Sequence, residues 1–244
     1  MRGVERLVAI VDALAHGPAT LTEIAGAVEL PKSTTVRFLR TLEEAGWIVR
    51  EGDHYSHGAA LVGMAARYIA GDALLTAASG PMQDLRNALG ETVSMSRRVG
   101  LGRVCVQEYP SPQNLRLVLG LGEPGPLHAG ASGLLLYAHL PEAERRRVIE
   151  AGLPRYTDLT PTSFAELEAE AGLIRKRGWA MSHGQKTAGA LAVAVPVRSP
   201  GPSGDIVALG LFGPELRAST ESDRQMWLDA LLRCADDITA ALAR

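Results

Sequence analysis

Lys32, Ser33, Thr34, Thr35, Arg37 and Arg40 crowd one short stretch, and no acidic side chain interrupts them between Pro31 and Leu42. At the start of a helix these residue types suit nucleic acid. Free backbone N–H groups there favour a phosphate, and an arginine reaches either a phosphate or a guanine edge. A recognition helix meets base edges with its N-terminal residues. A capped surface helix carries similar side chains merely solvated, so the helix alone does not decide. Its neighbours do.

Three other constellations carry chemistry in principle. Arg97 alternates in phase with Val93, Met95 and Val99 along a predicted strand, which turns an arginine inward. A buried guanidinium demands a partner, and a ligand carboxylate fits its planar fork. Gly120-Leu-Gly-Glu-Pro-Gly125 spells a dinucleotide fingerprint, but Pro124 and Pro126 deny the helix that must open after it. It reads as a turn. Gly130-Ala-Ser132-Gly133 lacks the glycine spacing of a nucleophile elbow, and reads as small residues that let a helix start pack close to a sheet or a ligand. His128 beside it reads as a structural donor. Cys105 and Cys234 stand far apart with no second ligand at metal spacing, so neither a disulfide framework nor a metal site is expected.

The elements around the basic helix support the nucleic-acid reading. Val4, Leu7, Val8, Ile10, Val11 and Leu14 recur at helical spacing, and Gly17-Pro18 ends that helix. Thr20-Leu-Thr-Glu23 is a capping box opening a short helix to Val28. Glu29-Leu30 turns the chain, and Pro31 suits the first position of the next helix. Val36, Leu39 and Leu42, with Phe38 alongside, give that helix an apolar stripe ending near Gly46. Trp47–Arg50 and His54–His57 read as two strands about a glycine turn. Three helices and a hairpin make a winged helix-turn-helix.

An alanine-rich linker helix is expected over 59–72, and a second helix over 74–89 that Pro81 kinks or interrupts. Beyond Gly90 the texture changes. Strands are expected at Glu91–Val99, Arg103–Gln107, Leu115–Leu121, Leu191–Val197 and Ile206–Phe212. Helices are expected at Ser132–His139, Pro141–Ala151, Phe164–Arg177 and Glu221–Ala243, with Pro200–Gly204 a loop between strands. The mixture implies an α+β sheet domain.

The net charge of −2 gives no global basic signal, and acids outnumber bases in the first sixty residues. The positive character is local to Lys32–Arg40. With 46% hydrophobic and 21% charged residues the chain has an ordinary globular composition. No run of about 18 apolar residues suggests a membrane span. Sparse cysteine usage points to the cytoplasm.

The chain resembles the IclR family of bacterial transcription regulators over nearly its whole length. The N-terminal residues that carry this are Leu21-Thr-Glu-Ile-Ala25, Leu30-Pro-Lys-Ser-Thr34, Arg37 and Thr41-Leu-Glu-Glu-Ala-Gly46. The C-terminal set is Gly90-Glu-Thr-Val93, Pro126-Leu-His-Ala129, Leu140-Pro141, Ile174-Arg175, Arg177-Gly-Trp-Ala180, Ala194-Val-Pro-Val197 and Gly213-Pro214. The resemblance implies an α/β two-domain chain. Residues 1–58 would form a largely α-helical winged helix-turn-helix, 59–73 a linker helix, and 74–244 a GAF-like α+β effector domain with an antiparallel sheet. It further implies a homodimer or dimer of dimers on palindromic operator DNA, no cofactor, and no enzymatic activity.

In family members that sense small 2-oxo acids, an Asp, a Cys and the backbone of a Gly-Ala-Gly turn hold the ligand. The matching positions here are Gly130, Ala131, Ser132, Ser182 and Ala192, with Leu117, Leu119 and Ala190 as apolar wall. The family's Asp-x-Glu-Glu is replaced by Ser182-His-Gly-Gln185, its Cys by Ala192, and a Lys by Leu134. The expected effector is therefore not glyoxylate- or pyruvate-like. A carboxylate-bearing or amino-acid-related molecule is expected, with Arg97 as a further anchor. The chain is similar to an actinobacterial branch linked to amino-acid metabolism. The alternatives are an enzyme in the C-terminal domain, or a regulator that needs no effector.

Overall fold

The structure, a computed structural model, describes residues 2–15, 17–199 and 204–243. It falls into two compact units, one ending at Asp72 and one beginning at Ala73.

The first unit runs α1 (Arg2–Ala13), β1 (Ala19–Thr20), α2 (Leu21–Ala27), α3 (Lys32–Glu44), β2 (Ile48–Glu51), β3 (His54–His57) and α4 (Ala59–Gly71). Thr20 and Glu23 close the expected capping box on α2. The wing strands β2 and β3 pair antiparallel, and β1, too short to stand out in the sequence, adds to β3. Ile10, Leu14, Ile24, Leu39, Leu42, Ile48 and Tyr55 form the core. Its α3 stripe differs from expectation, because Val36 is exposed and Thr35 takes the inward position.

Helix α4, over the expected linker, is grouped with this unit, and the second unit begins at Ala73. The cause is local. Gly58 N–H donates to Trp47 O at 2.7 Å and Ala60 N–H to Gly46 O at 3.1 Å. A Cβ on Gly58 would lie 2.2 Å from Gly46 O, so only glycine permits this approach.

The second unit comprises α5 (Ala73–Leu89), β4 (Thr92–Val99), β5 (Gly102–Tyr109), β6 (Pro124–Pro126), α6 (Ala131–Ala138), α7 (Glu142–Glu150), α8 (Phe164–Arg177), β7 (Ala180–His183), β8 (Ala190–Arg198), β9 (Ile206–Pro214) and α9 (Glu221–Leu242). The six strands form one antiparallel sheet in the order β6-β5-β4-β9-β8-β7. Helix α5 runs through Pro81 without a break.

Size alternation sorts the faces of the sheet. Val93, Met95, Leu191, Val193, Val195, Leu209 and Leu211 point into a core shared with α5 and α9. The intervening Ala194 and Ala208 join the core beneath α6 and α8. Small residues on that face let α6 sit close. A Cβ on Gly133 would lie 2.4 Å from Pro126 O, and one on Gly210 would lie 2.9 Å from Ser132 Oγ.

One expected strand fails here, and β7 appears where no strand is expected. The segment 115–121 is no strand, since the neighbouring edge of β5 is taken by β6. It is instead an irregular strap whose backbone polar groups are met by side chains. Strand β7, too short and mixed to read in the sequence, brings Ser182 onto the sheet. Pro200–Ser203 of the expected loop lie outside the described residues.

Candidate functional site

The first candidate site is the outer face of α3. Lys32, Ser33, Arg37 and Arg40 are exposed and Thr34 is half-buried. Pro31 is the N-cap and supplies no side-chain cap to the helix. The first backbone N–H groups thus point outward from a helix start that carries the positive end of the dipole. Arg40 is held by Glu44 at 2.9 Å, while Arg37 lies with its guanidinium 5.9 Å from the Phe38 ring centroid.

Thr35 corrects the sequence reading. It is fully buried and its hydroxyl donates to Pro31 O at 3.2 Å, so it fixes the first turn rather than meeting a ligand. Val36 takes its place on the outer face at 43% exposure. An exposed apolar residue one turn from Lys32 suits a thymine methyl. Its helical phase relative to Ser33, Arg37 and Arg40 was the available signal. On the wing, Arg50 is exposed, its Nε donating to Gly52 O at 2.9 Å and its guanidinium 5.5 Å from the Tyr55 ring centroid.

The second site is a cavity of ≈ 110 Å³ between the small-residue face of the sheet, the start of α6 and the strap. Leu117, Leu119, Gly130, Ala131, Ser132, Ser182, Ala190 and Ala192 all line it. These eight come from four separate stretches of sequence and converge only in three dimensions. Gly130 is at φ 81°, a left-handed conformation that suits glycine and turns the chain into α6. Gln185 reaches across, its Oε1 accepting Gly130 N–H at 3.2 Å.

The strap over the cavity is tied to the sheet. Thr92 Oγ1 donates to Leu117 O at 2.6 Å, and the Glu108 carboxylate accepts Leu119 N–H at 2.6 Å and Gly120 N–H at 3.1 Å. These bonds satisfy backbone groups that a strand would otherwise have paired.

Arg97 is not among the lining residues. It lies on the opposite face of β4 from Ser94 and Ser96, and its Nη2 donates to Ser199 Oγ at 3.4 Å. The arginine in the cavity is Arg103, from the neighbouring strand, with Gln185, Lys186, Thr187 and Phe212 as further lining that the sequence reading lacked. Burial depresses the pKa of Lys186, and the charge of Arg103 lowers it further.

Other residues are structural. His128 is buried, with Nε2 2.9 Å from Pro154 O and its ring stacked on Tyr156. Cys105 and Cys234 are both free and buried, and burial pushes each thiol up to about 12.

Comparison with known proteins now bears on both sites. Residues 3–52 match the IclR helix-turn-helix domain, and residues 66–240 match the C-terminal domain of the bacterial transcriptional regulator IclR. The chain belongs to the IclR family of DNA-binding transcriptional regulators. The first match contains the whole of α3, and the second contains every residue of the cavity. Among IclR relatives, the probable transcriptional regulator SauR of Cupriavidus necator is 34% identical over 197 residues, covering 79% of this chain and 77% of that protein. The crystal structure of an IclR regulator from Alicyclobacillus acidocaldarius superposes with a TM-score of 0.86 at 25% identity, covering 99% of this chain and 98% of the other. An IclR homolog from Microbacterium hydrocarbonoxydans, solved in complex with 4-hydroxybenzoate, has a TM-score of 0.77 at 23% identity over 97% of this chain and 99% of that one. The two-domain IclR fold, helix-turn-helix followed by an α+β domain with an antiparallel sheet, is therefore the fold of this chain. Among the described residues no single helix is long and apolar enough to cross a membrane.

Proposed function

We propose that this regulator reads operator DNA with α3 and changes its DNA affinity when a small molecule occupies the cavity beneath the strap. Lys32, Ser33, Thr34, Arg37 and Arg40 would make the phosphate and base contacts, with Val36 and the wing residue Arg50 beside them. The observation that carries the control half is the convergence of eight residues from four stretches of sequence on one cavity that sets apolar walls beside polar groups including Arg103, Ser132 and Ser182, the mixed lining of a small-molecule site. The 4-hydroxybenzoate complex of the Microbacterium protein supports it by analogy of fold.

Two copies would act together, as a homodimer or a dimer of dimers on a palindromic site. One α3 reads one half-site, and two-fold pairing presents two. Helix α4 supports this, since none of its residues is buried and Val62, Met64, Tyr68 and Ile69 are all exposed. A helix with this many exposed apolar side chains and no buried face is ordinarily covered by a partner. The working place would be the cytoplasm, and the role that of a regulator rather than an enzyme.

The test is fluorescence anisotropy of the full chain on the DNA upstream of its own gene. Sequence-preferring, salt-sensitive binding is expected. Binding no tighter than to scrambled DNA would overturn the DNA reading. If no small acid or amide alters the affinity, a regulator that needs no effector is the better description.

A further inference from the structure

Arg103 is 3% exposed and lines the cavity, yet none of the ion pairs among the described residues involves it. Its Nη1 donates to Ser96 Oγ at 3.2 Å, and its Nε is buried without an acceptor. A guanidinium in this state is costly, because burial removes hydration that one hydrogen bond to Ser96 replaces only in part. Burial lowers the Arg103 pKa, and the Glu108 charge only partly opposes this. Glu108 makes no ion pair with Arg103, since both its oxygens are engaged by the strap amides, and the Cys105 thiol is kept protonated by burial.

The fold nevertheless makes room for this group. Gly125 of β6 pairs with Arg103, and a Cβ there would stand 2.8 Å from Cζ, 2.9 Å from Nη2 and 3.1 Å from Nε. The guanidinium therefore occupies the space that a side chain at position 125 would fill. This gives the last glycine of the Gly120–Gly125 turn a purpose that no phosphate loop explains. On the same sheet face a second buried polar atom, Ser94 Oγ, also lacks a partner.

We propose that Arg103 is the anchor for a small carboxylate, bound through the part of the guanidinium that lines the cavity, with the ligand's apolar body against Leu117, Leu119 and Phe212. This deepens the effector reading above and rests on it for any effect on DNA. A planar two-donor edge matches a carboxylate better than a tetrahedral anion. The cavity of ≈ 110 Å³ sets the size. It is near the about 150 Å³ of a cavity that takes benzene. The ligand is thus a short aliphatic acid or at most a single-ring acid.

The experiment uses the full-length protein and two matched pairs, isovalerate with isovaleramide and benzoate with benzamide, plus inorganic phosphate. Thermal shift and calorimetry read the binding. At least one acid is expected to stabilise the wild type and to bind about 10–100-fold more tightly than its amide, the difference a charge-assisted hydrogen bond makes. Arg103→Met is expected to abolish that preference, and without ligand to melt no lower than wild type, since it removes an unpaired buried charge. Gly125→Ala keeps the charge but displaces the guanidinium, and is expected to weaken the acid by about tenfold or more. An amide that binds as well as its acid, phosphate that binds more tightly than both acids, an acid preference that survives Arg103→Met, or no binding by either acid at millimolar concentration would each overturn the assignment. Operator affinity with and without the bound acid is a separate readout. Arg103-dependent binding that leaves DNA affinity unchanged would sink the control reading and keep the site.

Discussion

The Glu108 carboxylate holds the backbone of Leu119, accepting its N–H at 2.6 Å across a strand-to-strap gap that no backbone hydrogen bond spans at that point. The same carboxylate takes Gly120 N–H at 3.1 Å, so Glu108, together with Thr92, ties down one wall of the cavity.

Glu108→Ala removes both acceptors and leaves two amides to find water. We expect a loss of about 1–3 kcal/mol in the urea stability of the C-terminal domain. Faster hydrogen exchange should be confined to the strap around Leu117–Gly120. Exchange that rises evenly across the domain would show that Glu108 supports the whole core and not the strap.

Arg37→Ala and Thr35→Val separate the outer face of α3 from its inner face. Arg37→Ala is expected to cost about 1–3 kcal/mol of operator binding if it reads a base, or to reduce the salt slope by about 1 if it meets a phosphate. Thr35→Val should leave operator affinity unchanged, because the Thr35 side chain is buried against Pro31 O. Anisotropy titrations over a range of salt concentrations measure both. A larger loss for Thr35→Val than for Arg37→Ala would reverse the assignment of faces.

Glu29 stands at φ 52° in the turn between α2 and α3, the one non-glycine residue with positive φ among the described residues. That conformation costs an L-residue roughly 1–2 kcal/mol, against about 0.5–1 kcal/mol of extra chain entropy lost by glycine. Glu29→Gly should therefore stabilise the N-terminal unit by under about 1 kcal/mol and raise its urea midpoint slightly. A lower midpoint would mean that the Glu29 side chain contributes something the turn needs.

Glu168 bridges α8 to α6 and α7. It accepts from Arg145 Nε at 2.7 Å and Nη2 at 3.0 Å, and from the Tyr137 hydroxyl at 2.9 Å. Burial pushes its pKa up, but the hydrogen bonds and charge of Arg145 together with Tyr137 outweigh that, and the net direction is downward. A carboxyl depressed on folding contributes stability that is complete above its unfolded value of about 4.3 and is lost as pH falls through the lower folded value. Glu168→Gln should thus be destabilised relative to wild type near neutrality, with the gap closing in acid. Urea melts across that range test it, and a gap that does not change with pH would remove the charge from the explanation.

The sequence by itself determined the DNA-binding half almost completely, because its signals are local. Helical period, the Thr20–Glu23 capping box, Pro31 at the start of α3 and the glycine turn of the wing each act within a few residues. The face of Thr35 and Val36 was the exception, since a stripe of mixed residues leaves the phase of a short helix open until the core is packed. In the second domain the family motifs marked eight cavity residues, yet the charge within that cavity was decided by tertiary structure. Along β5, simple alternation places Arg103 on the face of Gln107 and Tyr109, the side of α5 and α9. In the folded sheet Met95 pairs with Gln107 but Ser96 pairs with Cys105, leaving Val106 as an extra residue. That bulge reverses the phase of everything before it. It carries Arg103 onto the cavity face beside Ser96, while Arg97 stays on the other side of the sheet. A one-residue bulge leaves no mark in composition or period, because it exists only in the register between two strands.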